Sequence, residues 1–242
     1  MTKSDSILEF LRGARDVHDQ TPGTWPAKRE LADAVRELMH CLVATDAPAE
    51  ELLAIAEQVR TSARRFSDQP IMQNPPGVAE MSLAGGMEVF RDRSPMVGKA
   101  NPLAPPATLV ADPEQQEVTG EVFFGRAYEG APGCVHGGYV AAVFDEALGM
   151  ATVFSGQPGM TGWIKISYRK PTPLETPLRV IAKMDDLEGR KIHTSAQLFA
   201  GDLLVAEATG LFISIPAQKF ADLREAERLR KAAAASELDD PS

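Results

Sequence analysis

Between Gln116 and Ile215 the chain sets one long apolar helical stretch among segments of alternating hydrophobicity, and that order constrains the fold more than any other feature. Val118, Gly120, Val122 and Phe124 share one face and Thr119, Glu121 and Phe123 the other, which is strand texture. Across 137–154, Val140, Phe144, Ala147, Leu148 and Ala151 recur at offsets of four, seven, eight and eleven. That spacing predicts a helix with one stripe buried against a sheet. Four more strands are expected at 162–169, 177–185, 191–200 and 203–215, divided by Pro171-Thr172-Pro173, Glu188-Gly189-Arg190 and Gly201-Asp202. Strands with short connections on either side of one helix form a meander that can curl around it, an α+β arrangement over 107–216.

The flanks have a different texture. Residues 1–68 are expected to form a helical hairpin extension, with Leu31, Ala34, Val35, Leu38 and Leu42 on one helix and Leu52, Ile55, Ala56 and Val59 on the next. Asp46-Ala47-Pro48 supplies the break. Nothing on these faces clusters an acid, a base and a nucleophile, so the hairpin reads as a packing or oligomerisation element. Residues 69–106 are dense in Pro and Gly, which predicts an irregular connecting segment lying partly on the next domain. A charged helix over 221–235 and a frayed tail are expected within 217–242.

Charge and cysteine content exclude several functions. Asp and Glu number 34 against 25 Lys and Arg, and a net charge of −9 argues against wrapping a nucleic acid backbone. Two cysteines, Cys41 and Cys134, with scattered His18, His40, His136 and His193, cannot build a disulfide framework or a zinc site. Met1 to Arg15 lacks a continuous apolar core, and no apolar run reaches membrane-spanning length. The expected setting is cytoplasmic, with neither nucleic acid nor membrane as partner.

The chemistry concentrates at the start of the apolar helix. Val135-His136-Gly137-Gly138 precedes Asp145, a carboxylate nine residues beyond the histidine on an otherwise apolar helix. An acid in such a place needs a partner or a task, because desolvating its charge is costly. The two glycines let another molecule approach a helix start whose first N–H groups have no partner within the helix. Gly138, Ala141 or Ala142, Asp145 and Gly149 form a second stripe of small residues around the acid, suited to a close neighbour. Eight residues of helix separate Gly137 from Asp145 by about 12 Å at 1.5 Å per residue. The two ends therefore do not easily address one reacting carbonyl from a single chain. Two antiparallel helices related by a dyad would bring the start of one against Asp145 of the other.

This combination of motif, helix and strand order resembles the hotdog-fold acyl-CoA thioesterases, in the branch of the phenylacetate-pathway enzymes and the mitochondrial thioesterase-superfamily members 4 and 5. The resemblance spans about 107–216 and implies an antiparallel sheet wrapped around a central helix, with protomers sharing one continuous sheet. It implies hydrolysis of an acyl-CoA to a free acid and coenzyme A by a homodimer or dimer of dimers. No metal or redox cofactor is implied, and coenzyme A enters only as part of the substrate. On the same basis Asp145 is the catalytic carboxylate, activating water or attacking the thioester, and the Gly137 N–H holds the oxyanion. His136 orients the turn or helps to place the carbonyl, Thr161 positions the water, and Gly138, Arg169 and Lys170 contact the substrate, the last two at the phosphates. Where some relatives carry Asn or Gln six residues before the histidine, this chain has Gly130. Structural readings compete: Asp145 tied to an N–H or an arginine, His136 only fixing the turn, Thr161 capping a strand, Arg169 and Lys170 on a solvated edge. The rival functions are a non-catalytic acyl-CoA sensor and a hotdog hydratase or dehydratase.

Overall fold

The computed structural model describes residues 24–70, 92–157 and 159–215, together with Ala226 and Leu229. The expectations for 1–23 and most of the C-terminal helix fall outside the described residues. Two helices come first, α1 (Trp25–Ala44) and α2 (Ala49–Ser67). They are followed by strands β1 (Ala107–Asp112) and β2 (Glu117–Phe123), helix α3 (Gly137–Ala151), and strands β3 (Gly159–Tyr168), β4 (Pro177–Glu188), β5 (Lys191–Ala200) and β6 (Leu203–Ser214).

All six strands form one antiparallel sheet in the order β1-β2-β4-β5-β6-β3. Its inner face carries Leu109, Val118, Val122, Leu178, Val180, Ile192, Ala196, Leu198, Ala208 and Phe212, all buried against Val140, Val143, Phe144, Ala147, Leu148 and Ala151 of α3. Full burial of a side chain such as Phe144 or Leu148 contributes roughly 1.5–3 kcal/mol. The hotdog arrangement expected from the strand and helix order is therefore present.

Several local expectations need correction. Strand β1 is absent from the sequence reading, which begins the sheet near Gln116. Its six residues follow Pro105-Pro106, and only Leu109 and Ala111 turn inward. What makes it a strand is its partner: it pairs along its whole length with β2 through a turn where Gln116 takes φ 53°. The predicted helix over 137–154 is α-helical only to Ala151 and tightens into a 3-10 turn over Thr152–Ser155, closed by left-handed Gly156 at φ 71°. Strand β3 begins at Gly159 rather than 162 and carries a register shift between Thr161 and Trp163.

The two N-terminal helices form as expected, but their apolar stripes do not make a packed hairpin. Helix α1 docks on the sheet domain with Trp25, Arg29, Ala32, Arg36 and His40, spaced along one face. Arg29 pairs with Asp92, its Nε donating at 3.1 and 3.0 Å to the two carboxylate oxygens. Buried Arg36 donates to the carbonyls of Asn101 at 2.8 Å and Lys99 at 3.0 Å. Leu31, Leu38 and Leu42 face outward, and α2 has no buried residue. The docking surface of α1 consists of loops whose backbone groups the sheet leaves unpaired, so it selects donors and acceptors rather than leucines. Within the connecting segment, Asp92, Ser94 and Ala104 are buried, and Met96 and Val97 pack on the core.

Candidate active site

The site is built around the two ends of the outer face of α3. At the helix start, His136 is the N-cap and its Nδ1 accepts from the Gly138 N–H at 3.1 Å. That bond leaves the proton of a neutral imidazole on Nε2. The Gly137 N–H donates to no group among the described residues, as expected for the first amide of a helix. The histidine therefore fixes the turn and leaves one donor without an acceptor among the described residues.

Two contacts from other elements hold this turn. The Tyr168 hydroxyl, at the end of β3, donates to the Gly137 carbonyl at 2.8 Å. The His136 N–H donates to the Tyr128 carbonyl at 2.9 Å, tying the helix start to the 3-10 turn Arg126–Tyr128. That turn is braced in its own right by α1, because the Ala127 N–H donates to His40 Nδ1 at 3.1 Å. His40 sits so close to Gly125 that a Cβ there would lie 2.7 Å from its ring. Tyr128 is buried, with its ring edge-on to His40, Phe124 and Tyr139. Burial pushes its phenol up to about 12, with the Arg36 charge opposing.

At the other end, Asp145 is exposed, and its Oδ1 accepts from the Thr161 hydroxyl at 2.8 Å. Thr161 reaches it because of the β3 bulge. It lies opposite buried Phe212, whereas Trp163 lies opposite Leu211 on the outer face. Unbroken alternation would put Thr161 on the face of Trp163, away from Ile164, Ile166 and Tyr168. The extra residue, Gly162, re-phases the strand so that Thr161 and Tyr168 both face α3, one at each end of the site.

The folded core relates directly to a solved structure. A crystallised thioesterase superfamily protein is 30% identical, with 77% of this chain and 90% of that chain covered at a TM-score of 0.68. The thioesterase superfamily family model matches residues 132–207. The chain belongs to the thioesterase superfamily. Among curated relatives, acyl-coenzyme A thioesterase THEM4 of Bos taurus is 39% identical over 101 residues, covering 40% of this chain and 41% of its own length. The protein of the same name from Xenopus laevis is 37% identical over 93 residues, covering 38% and 42%. This superfamily member thus spans about four tenths of the length of the curated relatives it matches. The region matched by the family model contains His136, Gly137, Asp145, Thr161 and Tyr168, and it leaves out α1 and α2.

Against this framework the remaining predicted residues separate. Gly138 holds its N–H on His136. Arg169 pairs with Glu207, its Nε donating to Oε1 at 3.1 Å, because β3 and β6 run side by side with Ser167 opposite Glu207. Lys170 is exposed and forms no ion pair among the described residues. Arg190, in the turn before β5, donates to the Ser214 carbonyl and serves the sheet end. Gly130 has a packing reason: a Cβ there would lie 2.7 Å from the His136 Cα, so Asn or Gln at this position would displace the helix start. Tyr168 and His40 are the site-supporting residues that sequence reasoning missed. Alternation through Ile164, Ile166 and Tyr168 pointed to the first, while no local pattern pointed to the second.

Proposed function

We propose that the protein hydrolyses acyl-CoA thioesters to a free carboxylic acid and coenzyme A, at a site completed by two protomers. The observation that carries this reading is the Thr161–Asp145 hydrogen bond at 2.8 Å on an exposed helix face whose first N–H, at Gly137, has no acceptor among the described residues. Thr161 occupies one lone pair of the carboxylate and holds it in one orientation. Asp145 then takes a proton from water as the water adds to the thioester carbon, or adds to that carbon itself. The Gly137 N–H receives the developing oxyanion, a contribution of roughly 3 to 4 kcal/mol for one well-placed donor. Collapse of the tetrahedral species breaks the C–S bond, and the proton taken up by Asp145 passes to the departing thiolate. On the direct route the thiolate takes its proton from water, and water then hydrolyses the acyl-aspartyl anhydride to the free acid and the restored carboxylate. Carboxylate, water and N–H suffice for this chemistry, so no metal or redox cofactor takes part.

The dimer follows from distance. Donor and carboxylate stand about 12 Å apart along one helix, so the donor that meets Asp145 comes from a second α3 lying antiparallel. Strand β3 supports this arrangement, since it is an edge of the sheet with its outer side unpaired among the described residues. Lys170, close in sequence to Tyr168, is the cation available for the phosphates of coenzyme A, with Arg169 held by Glu207.

Asp145→Asn keeps the shape of the side chain and removes the base. Thiol release from a panel of acyl-CoA substrates should fall about a hundred- to ten-thousand-fold with the oligomer intact; parental turnover by the folded variant would sink the assignment. Gly137→Pro removes the N–H, and His136, at φ −60° and ψ 130°, already has the conformation that precedes a proline. Each variant alone should be inactive. Their mixture should regain about a quarter of parental activity, because half the dimers are mixed and each holds one intact site of two. No recovery after subunit exchange would rule out the composite site while leaving the carboxylate assignment standing.

A further inference from the structure

Helix α2 has 19 residues and none of them is buried. Most of the stability of a helix in a protein comes from packing its amphipathic face, so a helix with no buried residue calls for a partner. Four of its large apolar residues form a seam, Leu52, Ile55, Val59 and Phe66 falling at offsets of zero, three, seven and fourteen, the spacing of a coiled-coil face, while Leu53 lies off it. Phe66 is 60% exposed and Val59 46% exposed. Leu52 and Ile55 are half-buried, and helix α1 makes no extended contact with α2, so the Val59 and Phe66 end of the seam stays open among the described residues.

We propose that this seam pairs antiparallel with α2 of a second copy of the chain. The charges argue for that occupant. The ion pairs made within α2 join Glu57 to Arg64 at 2.6 Å and to Arg60 at 3.5 Å, all on the side away from the seam. Glu51 and Arg65 flank the seam and form no ion pair among the described residues. In an antiparallel pairing Glu51 of each copy lies beside Arg65 of the other, Gln58 meets Gln58, and Ile55 packs on Val59. Ala49, Ala56 and Ala63 line the opposite flank, where small side chains let the backbones come close. A parallel pairing sets Glu51 beside Ala56 and gains none of this. The helix dipole accounts for acids at the start and bases at the end of α2. It does not account for the apolar seam between them.

The test uses the full chain carrying Cys41→Ser and Cys134→Ser, with Gln58→Cys as the reporter and Thr61→Cys on the outer face as control, treated with a short bis-maleimide. The expected result is a covalent dimer from Gln58→Cys and little from Thr61→Cys. Adding Glu51→Arg or Arg65→Glu alone should lower the yield roughly three- to ten-fold, as attraction at two symmetric pairs becomes repulsion. Combining both reversals recreates the pair with its signs exchanged and should restore the yield. Equal yields from Gln58→Cys and Thr61→Cys overturn the proposal, as does a double reversal no better than the singles. A cross-link that appears only after deletion of residues 1–23 also overturns it, because that segment of the same chain would then be the natural cover. The readout does not depend on turnover, so loss of the proposed activity cannot mimic any of these outcomes.

Discussion

Helices α3 and α1 lie against the same sheet domain yet dock by opposite chemistry. Helix α3 turns Val140, Phe144, Ala147 and Leu148 inward and leaves Asp145 outside. Helix α1 turns Arg29, Arg36 and His40 inward and leaves Leu31, Leu38 and Leu42 outside. The receiving surface explains the inversion. The inside of a curled sheet has already paired its backbone groups and offers only side chains, so it takes an apolar stripe. The loops at 92–101 and 125–128 offer unpaired carbonyls, a carboxylate and an amide, so they take donors and an acceptor. Hydrophobic periodicity thus locates a helix without saying which face will be covered.

The largest effect that would break this contrast is at the centre of α3. Phe144→Ala should cost about 3–5 kcal/mol in denaturant unfolding, since the ring is fully buried and its cavity cannot easily close. A loss below 1 kcal/mol would mean that α3 is not the core helix.

A smaller effect lies between the two helices, at Tyr128. Its phenol is pushed up to about 12 by burial, whereas in the unfolded chain it ionises near 10. The stabilisation is therefore complete below about pH 10 and lost as pH rises toward 12, amounting to roughly 2–3 kcal/mol across that window. Tyr128→Phe should flatten this dependence in urea titrations at pH 9 to 12, and an unchanged slope would refute the assignment.

The smallest effect is on the outer face of α1. Leu38→Gln should change stability by no more than about 0.5 kcal/mol, as for a surface position, whereas Arg36→Ala on the covered face should cost more by leaving two part-buried carbonyls without their donor. The reverse ranking in thermal melts would show that the leucine face is the docked one.

Legibility in the sequence followed the range of the interaction. Strands β2, β4, β5 and β6 and helix α3 were readable because their burial patterns repeat over a few residues. Strand β1 was not, since its only support is a neighbouring strand. The Asp145–Thr161 pair could be anticipated by resemblance, but its geometry depends on a bulge at Gly162 that strict alternation would have denied. Arg169 was expected to face solvent or substrate, and the register of β3 beside β6 gave it Glu207 instead. His40 was one of four scattered histidines until the fold carried it to the amide of Ala127, 87 residues away.

Local periodicity and the His-Gly-Gly turn determined by themselves that one helix would be enclosed by a sheet, with an acid on its open face. Only the tertiary structure decided what meets that acid, what braces the turn and which side of α1 is covered. Those outcomes depend on which backbone groups remain unpaired after the sheet has closed, a property of the whole surface that no window of sequence contains.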